Sequence, residues 1–184
     1  MPRIDRAGQL AGYPTRTRSG APPLERLLRY QYARVGCHFM PKLYPASSER
    51  LEIIYQPDLQ ILFGRWLRPV TETEARQDYA DLLAAAQHFE ARHWLFDIRR
   101  RGRSDPATLA WLLNVYYAQA VQALGPPVRL VYFMAPGLRQ EFQADGVVPE
   151  LGAYAANHPF RLNQCITEGE AVSWLLGEQR SPVL

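Results

Sequence analysis

The sequence predicts an α/β domain: a mixed, mostly parallel sheet of about five strands, opened by a hairpin, with four helices packed on it. Three observations carry that expectation. From Leu51 onward, short apolar runs alternate with amphipathic stretches of helical period. The first two runs are separated only by a turn, whereas each later pair is separated by a helix-length segment. This gives the order ββαβαβαβα, with antiparallel pairing first and parallel pairing after. Helix-start chemistry also stands where the pattern changes period, at Thr71-x-x-Glu74, Ser104-Asp105-Pro106 and Thr167-x-x-Glu170.

Each element has its own signal. Leu51–Tyr55 and Gln60–Leu67 read as strands joined at Pro57-Asp58, a hairpin. Thr71 and Glu74 form a capping box, and Ala75, Tyr79, Leu82, Ala86 and Phe89 continue as the apolar stripe of a helix to about Ala91. Glu72, Arg76, Asp78 and Asp81 read as its solvated face. The nearly continuous apolar run His93–Ile98 reads as a buried strand. Ser104 as N-cap and Pro106 in the first turn open a second helix with an apolar face of Leu109, Leu112, Leu113, Tyr116 and Ala120, stopped by Gly125-Pro126-Pro127. Val128–Met134 is a further strand, Leu138–Ala144 a short helix and Arg161–Cys165 a weaker strand. Thr167 and Glu170 cap a terminal helix through Trp174 and Leu176.

Charge divides the chain. Its formal net charge is +3 and its pI about 9.0, but residues 1–39 hold seven Arg against Asp5 and Glu25, a net +5. The remaining residues therefore carry −2, so the basic pI gives no ground for a nucleic-acid partner. Residues 1–46 read as a flexible basic leader, 47–178 as the domain and 179–184 as a tail. Leu24–Val35 within the leader is amphipathic and fits a membrane-surface or partner helix, and the Arg-rich leader also fits a transit peptide. Met40 is an alternative translation start. Two cysteines, Cys37 and Cys165, cannot build a disulfide framework, and there is no apolar run of spanning length and no secretory h-region. The expectation is a cytoplasmic protein with no transmembrane segment.

The Pro57-Asp58 hairpin, Trp66 near its end, Thr71-x-x-Glu74, the Trp94-Leu95-Phe96-Asp97 and Val131-Tyr132-Phe133 strands and Glu170-Ala171-x-x-Trp174-Leu175 together resemble the bacterial STAS-like (SpoIIAA-like) domains over residues 48–176. The resemblance implies a mixed sheet with packed helices, no catalytic apparatus, and action through protein contacts. In the anti-sigma-factor antagonists of that family a Ser or Thr after the third strand is phosphorylated. The matching stretch here, Asp97 to Pro106, offers only Ser104 as phosphoacceptor, and the usual Asp-x-Ser-x-x-Gly pattern is absent.

The candidate site is the loop Arg99-Arg100-Arg101-Gly102-Arg103-Ser104, at the C-terminal end of a central strand and the start of a helix. Ligands of open α/β sheets bind at such places, and guanidinium forks suit carboxylate and phosphate. The competing reading is a solvated charged loop. Trp111 lies off the apolar stripe and serves either as a partner anchor or as filler beneath a loop. His88-Phe89-Glu90-x-x-His93 has the wrong spacing for a zinc helix, and Cys165 lacks a positioned base, so no metal, cofactor or catalytic residue is expected. The phosphate-loop, dinucleotide and nucleophile-elbow patterns are missing. The expected function is a non-enzymatic STAS-like regulatory module contacting an unidentified protein partner, or itself, through Arg99–Ser104 and the next helix. The alternative is a domain binding a small anion or lipid headgroup at the same loop, discriminated by an enclosed pocket beside the arginines. An uncharacterised enzyme stands third.

Overall fold

Two-residue alternation along the strands decides which side chains face which layer. The structure, a computed structural model, describes residues 40–145 and 158–180. Residues 1–39, including Leu24–Val35 and Cys37, lie outside the described residues, as do 146–157 and 181–184. The strands are β1 (Lys42–Leu43), β2 (Leu51–Gln56), β3 (Ile61–Trp66), β4 (His93–Asp97), β5 (Val128–Phe133) and β6 (Phe160–Cys165). They lie in the sheet in that same order. β1–β2 and β2–β3 pair antiparallel, and β3–β4, β4–β5 and β5–β6 pair parallel. The mixed α/β sheet therefore has six strands rather than about five. The extra one, β1, falls in the stretch read from sequence as leader. Two residues are too few to show an alternation, and β1 exists only because β2 offers it an edge.

Helix α1 (Glu72–His88) connects β3 to β4. Helix α2 (Pro106–Trp111), a π-helical turn (Leu112–Tyr116) and α3 (Tyr117–Leu124) form one continuous rod between β4 and β5. Helix α4 (Pro136–Ala144) follows β5, and α5 (Glu168–Arg180) follows β6. The expected Thr71/Glu74 capping box is present in both directions: the Thr71 hydroxyl accepts from the Glu74 amide at 3.3 Å, and the Glu74 carboxylate accepts from the Thr71 amide at 2.9 Å. Arg68 donates to the same carboxylate at 2.7 Å and, first among the causes, holds the Glu74 carboxyl down at about 2. A side-chain NMR titration of Glu74 is expected to show its midpoint there. A midpoint at the ordinary glutamate value would mean that the cap and ion pair are not held in solution. The Thr167 hydroxyl likewise accepts from the Glu170 amide at 3.3 Å as α5 opens.

The larger core lies between one sheet face and α1, α2 and α3. Leu51 and Ile53 of β2, Leu62 and Trp66 of β3, Trp94 and Phe96 of β4 and Leu130 and Tyr132 of β5 face it, all buried. The opposite face carries Phe63, Leu95, Val131 and Cys165, with Ala171, Val172 and Leu175 of α5 packed toward β4, β5 and β6. Gly64 faces the larger core. A Cβ there would stand 2.6 Å from Leu82 Cδ2 and 3.2 Å from Phe96 Cδ1, so the missing side chain is what lets α1 lie so close to β3.

One expectation is corrected within α1. Asp78 is not on a solvated face but fully buried, accepting from Trp66 Nε1 at 2.9 Å and Arg50 Nε at 2.7 Å. It lies three residues after Ala75 and directly before Tyr79, so it turns toward the sheet, where the Trp66 indole N–H would otherwise have no acceptor. Burial pushes the Asp78 carboxyl up, and the bonds from Arg50 and Trp66 pull it back. Among the described residues, no helix is long and apolar enough to cross a membrane.

Candidate functional site

The arginine-rich loop does not act as one patch. After β4 the chain turns sharply, with the Arg101 amide donating to the Ile98 carbonyl at 3.2 Å, and Gly102 follows with φ +78°. Successive side chains are thereby sent in different directions. Arg99 joins the opposite sheet face, donating to Asp97 at 2.9 and 2.7 Å and lying 4.1 Å above the Phe133 ring. Asp97 also accepts from the buried Arg65 at 3.1 Å, so it joins two arginines. Their guanidinium groups lower the Glu168 carboxyl at the start of α5, but burial, the larger cause, leaves it raised. Arg100 is exposed. Arg103 forms a rim ion pair with Asp145 at 2.5 Å.

Arg101 alone turns inward and is only 4% exposed. Its Nη1 donates to the Tyr79 hydroxyl at 2.6 Å and its Nη2 to the Ser104 hydroxyl. The guanidinium carbon lies 5.1 Å from the Trp66 ring centre and 5.4 Å from that of Tyr79. Among the described residues no carboxylate pairs with it. Burial disfavours its charge, and the surrounding phenols Tyr79, Tyr132 and Tyr117 more than restore it. Ser104 is therefore not the helix N-cap expected from sequence. Asp105 takes that place, accepting from the Thr108 amide at 2.8 Å and the Thr108 hydroxyl at 2.6 Å. Asp is as good a cap as Ser, and Arg101 claims the Ser104 oxygen.

Behind Arg101 runs a chain of phenols. The Tyr79 and Tyr132 hydroxyls are 3.1 Å apart, and those of Tyr132 and Tyr117 are 2.9 Å apart. Because Tyr79 accepts from Arg101, its own proton is available to Tyr132, and the guanidinium polarises the chain. Burial raises the Tyr132 hydroxyl well above the ordinary phenol value. Tyr117 reaches this position through the π-helical turn, where its amide bonds to the Leu112 carbonyl five residues back. The widened turn puts consecutive Tyr116 and Tyr117 both inside, at 1% and 0% exposure, and π turns recur beside functional sites.

These groups line a cavity of about 220 Å³ at the C-terminal end of the parallel strands. Arg101, Ser104 and the phenols give it polar atoms, while Ile98, Leu109, Leu112 and Phe142 give it apolar walls. Arg103 and Asp145 stand at its rim. Two larger grooves, of about 410 and 330 Å³, lie at the other end of the strands and contain no buried charged side chain. Of the six residues singled out from sequence, Arg101, Arg103 and Ser104 meet at the cavity, and Arg99 and Arg100 do not. Trp111 is half-buried, 6.1 Å from the Tyr79 ring and 5.5 Å from the Tyr116 ring, with Arg76 5.4 Å over it.

Sequence reasoning missed Tyr79, Tyr117, Tyr132 and Phe142 as site residues. The available signal was a tyrosine near the C-terminal end of an otherwise apolar strand, in Val131-Tyr132-Phe133, because a buried phenol needs a partner there. Among the described residues no group of three or more His, Cys, Asp or Glu is placed to hold a metal ion. His88 packs against Tyr44 and Phe89, and burial pushes the Cys165 thiol up, away from nucleophilic use. The chain matches no protein-family model, no curated protein and no solved structure.

Proposed function

We propose that this domain is a small-molecule binding module whose site is the Arg101 cavity and whose ligand is an anion. One observation carries the reading: a guanidinium 4% exposed, with no carboxylate partner among the described residues, borders a cavity. Phenols and a serine hydroxyl favour this buried charge, but none of them is a counter-ion. An arriving anion supplies the missing partner. Open α/β sheets bind ligands at this end of their strands.

The test is thermal unfolding of the full chain at fixed ionic strength with added acetate, benzoate or inorganic phosphate. At least one anion is expected to raise Tm saturably, and none is expected to do so in Arg101→Met. Equal responses of the two proteins, or none in either, would remove the anion site.

A second reading, a STAS-like regulatory module, draws support from the sequential order of the sheet and from Arg100, exposed in the loop after β4. Its phosphoacceptor candidate, Ser104, is half-buried and accepts from Arg101, so modification there would compete with the guanidinium bond. A host protein captured by the wild-type chain and by Arg101→Met, but lost with Arg100→Ala, would favour this reading.

A further inference from the structure

Resting on the anion-site reading, we infer that the cavity takes a monocarboxylate carried on a compact, planar apolar body, with the carboxylate on Arg101 and Ser104 and the body among Leu109, Leu112, Phe142 and the phenols.

Charge selects the head group. The charged residues lining the cavity are Arg101, Arg103 and Asp145, a net +1. A monoanion neutralises that lining. A dianionic phosphate leaves an excess negative charge in a poorly solvated place, where it is costly. Phosphate sites also draw on free amides at a helix start. Here Asp105 already occupies the start of α2, and its carboxyl is held below the ordinary value by the Thr108 hydroxyl and amide. Asp105 stands between two lining residues, Ser104 and Pro106, so a second negative group is repelled. What remains is a guanidinium with more N–H donors than its two present partners use, and a serine hydroxyl beside it. That set matches the two oxygens of a carboxylate.

Size and lining select the body. About 220 Å³ is below the usual range for drug-sized ligands, so a long acyl chain does not fit. The walls offer the rings of Tyr79, Tyr117, Tyr132 and Phe142 together with Leu109 and Leu112. Aromatic rings pack best on flat partners, edge-on or offset.

Isothermal titration of the full chain with benzoate, benzamide, acetate, dodecanoate, phenyl phosphate and inorganic phosphate tests the inference. Benzoate is expected to bind at least tenfold tighter than acetate, benzamide and either phosphate, and Arg101→Met is expected to lose that preference over benzamide. Leu113→Ala, at a buried core position outside the cavity lining, keeps the cation and is expected to bind benzoate within a few-fold of wild type, which separates loss of charge from general loosening of the domain. Tighter binding of a phosphate, or of dodecanoate, would overturn the carboxylate or the compact body while leaving an anion site. Binding of benzamide equal to benzoate, or no binding of any anion, would overturn the inference and the anion site together.

Discussion

Replacing Asp78 with alanine is expected to lower the free energy of unfolding by about 3–4 kcal/mol, toward the low end of what breaking a buried ion pair costs. Asp78 is fully buried and is the acceptor for both the Trp66 indole and Arg50. Its removal strands the Trp66 N–H inside the core and leaves Arg50 without its carboxylate. Arg50 keeps 27% of its side chain in solvent, so water compensates part of the loss on that side. The buried indole has no such recourse. Asp78→Asn keeps an acceptor for the indole and is expected to cost roughly half as much. Denaturant unfolding followed by tryptophan fluorescence measures both. A loss below about 1 kcal/mol for the alanine variant would show that the network behaves as an exposed ion pair does. The effect reaches the cavity because the Trp66 ring lies under the Arg101 guanidinium.

The second large effect is expected at the closest approach of helix and sheet. Gly64→Val should destabilise the domain by about 3 kcal/mol, and Gly64→Ala by about 1–2 kcal/mol. The first added carbon already meets Leu82 Cδ2 at 2.6 Å. Leu82 is fully buried, and Phe96 closes in at 3.2 Å, so the leucine has little room to rotate away. The reduced freedom of the unfolded chain offsets part of the cost for alanine. If the clash is with Leu82, the Gly64→Ala/Leu82→Ala double variant will be less destabilised than the two single variants summed. Strict additivity would place the strain elsewhere.

Legibility from sequence followed the range of the forces involved. The capping box at Thr71 and Glu74, the stop at Gly125 and the hairpin over Pro57-Asp58 were legible because each depends on residues a few positions apart. The strand β1 was not, since its two residues are ordered by a neighbour across the sheet. The burial of Asp78 was missed for the same reason: its acceptor role exists only once Trp66, twelve residues earlier, is folded over it. The arginine loop was visible as a run of charge, but its division into Arg99 outward to Asp97, Arg100 exposed, Arg101 inward and Arg103 at the rim was not. That division follows from a turn and a left-handed Gly102, which set side-chain direction residue by residue.

By itself, then, the sequence determined the α/β class, the order of the elements after β1, most of their boundaries and the loop that carries the clustered arginines. All of these follow from periodicity, capping and turn chemistry, which act over one or two helical turns. Only the tertiary structure decided which arginine is buried, that Ser104 answers to Arg101 rather than to the helix, and that three tyrosines from α1, β5 and α3 join their hydroxyls behind it. These are contacts between groups up to 53 residues apart. Their partners are chosen by which faces of helix and sheet meet, and a buried charge or hydroxyl must then bond to whatever the fold brings within reach.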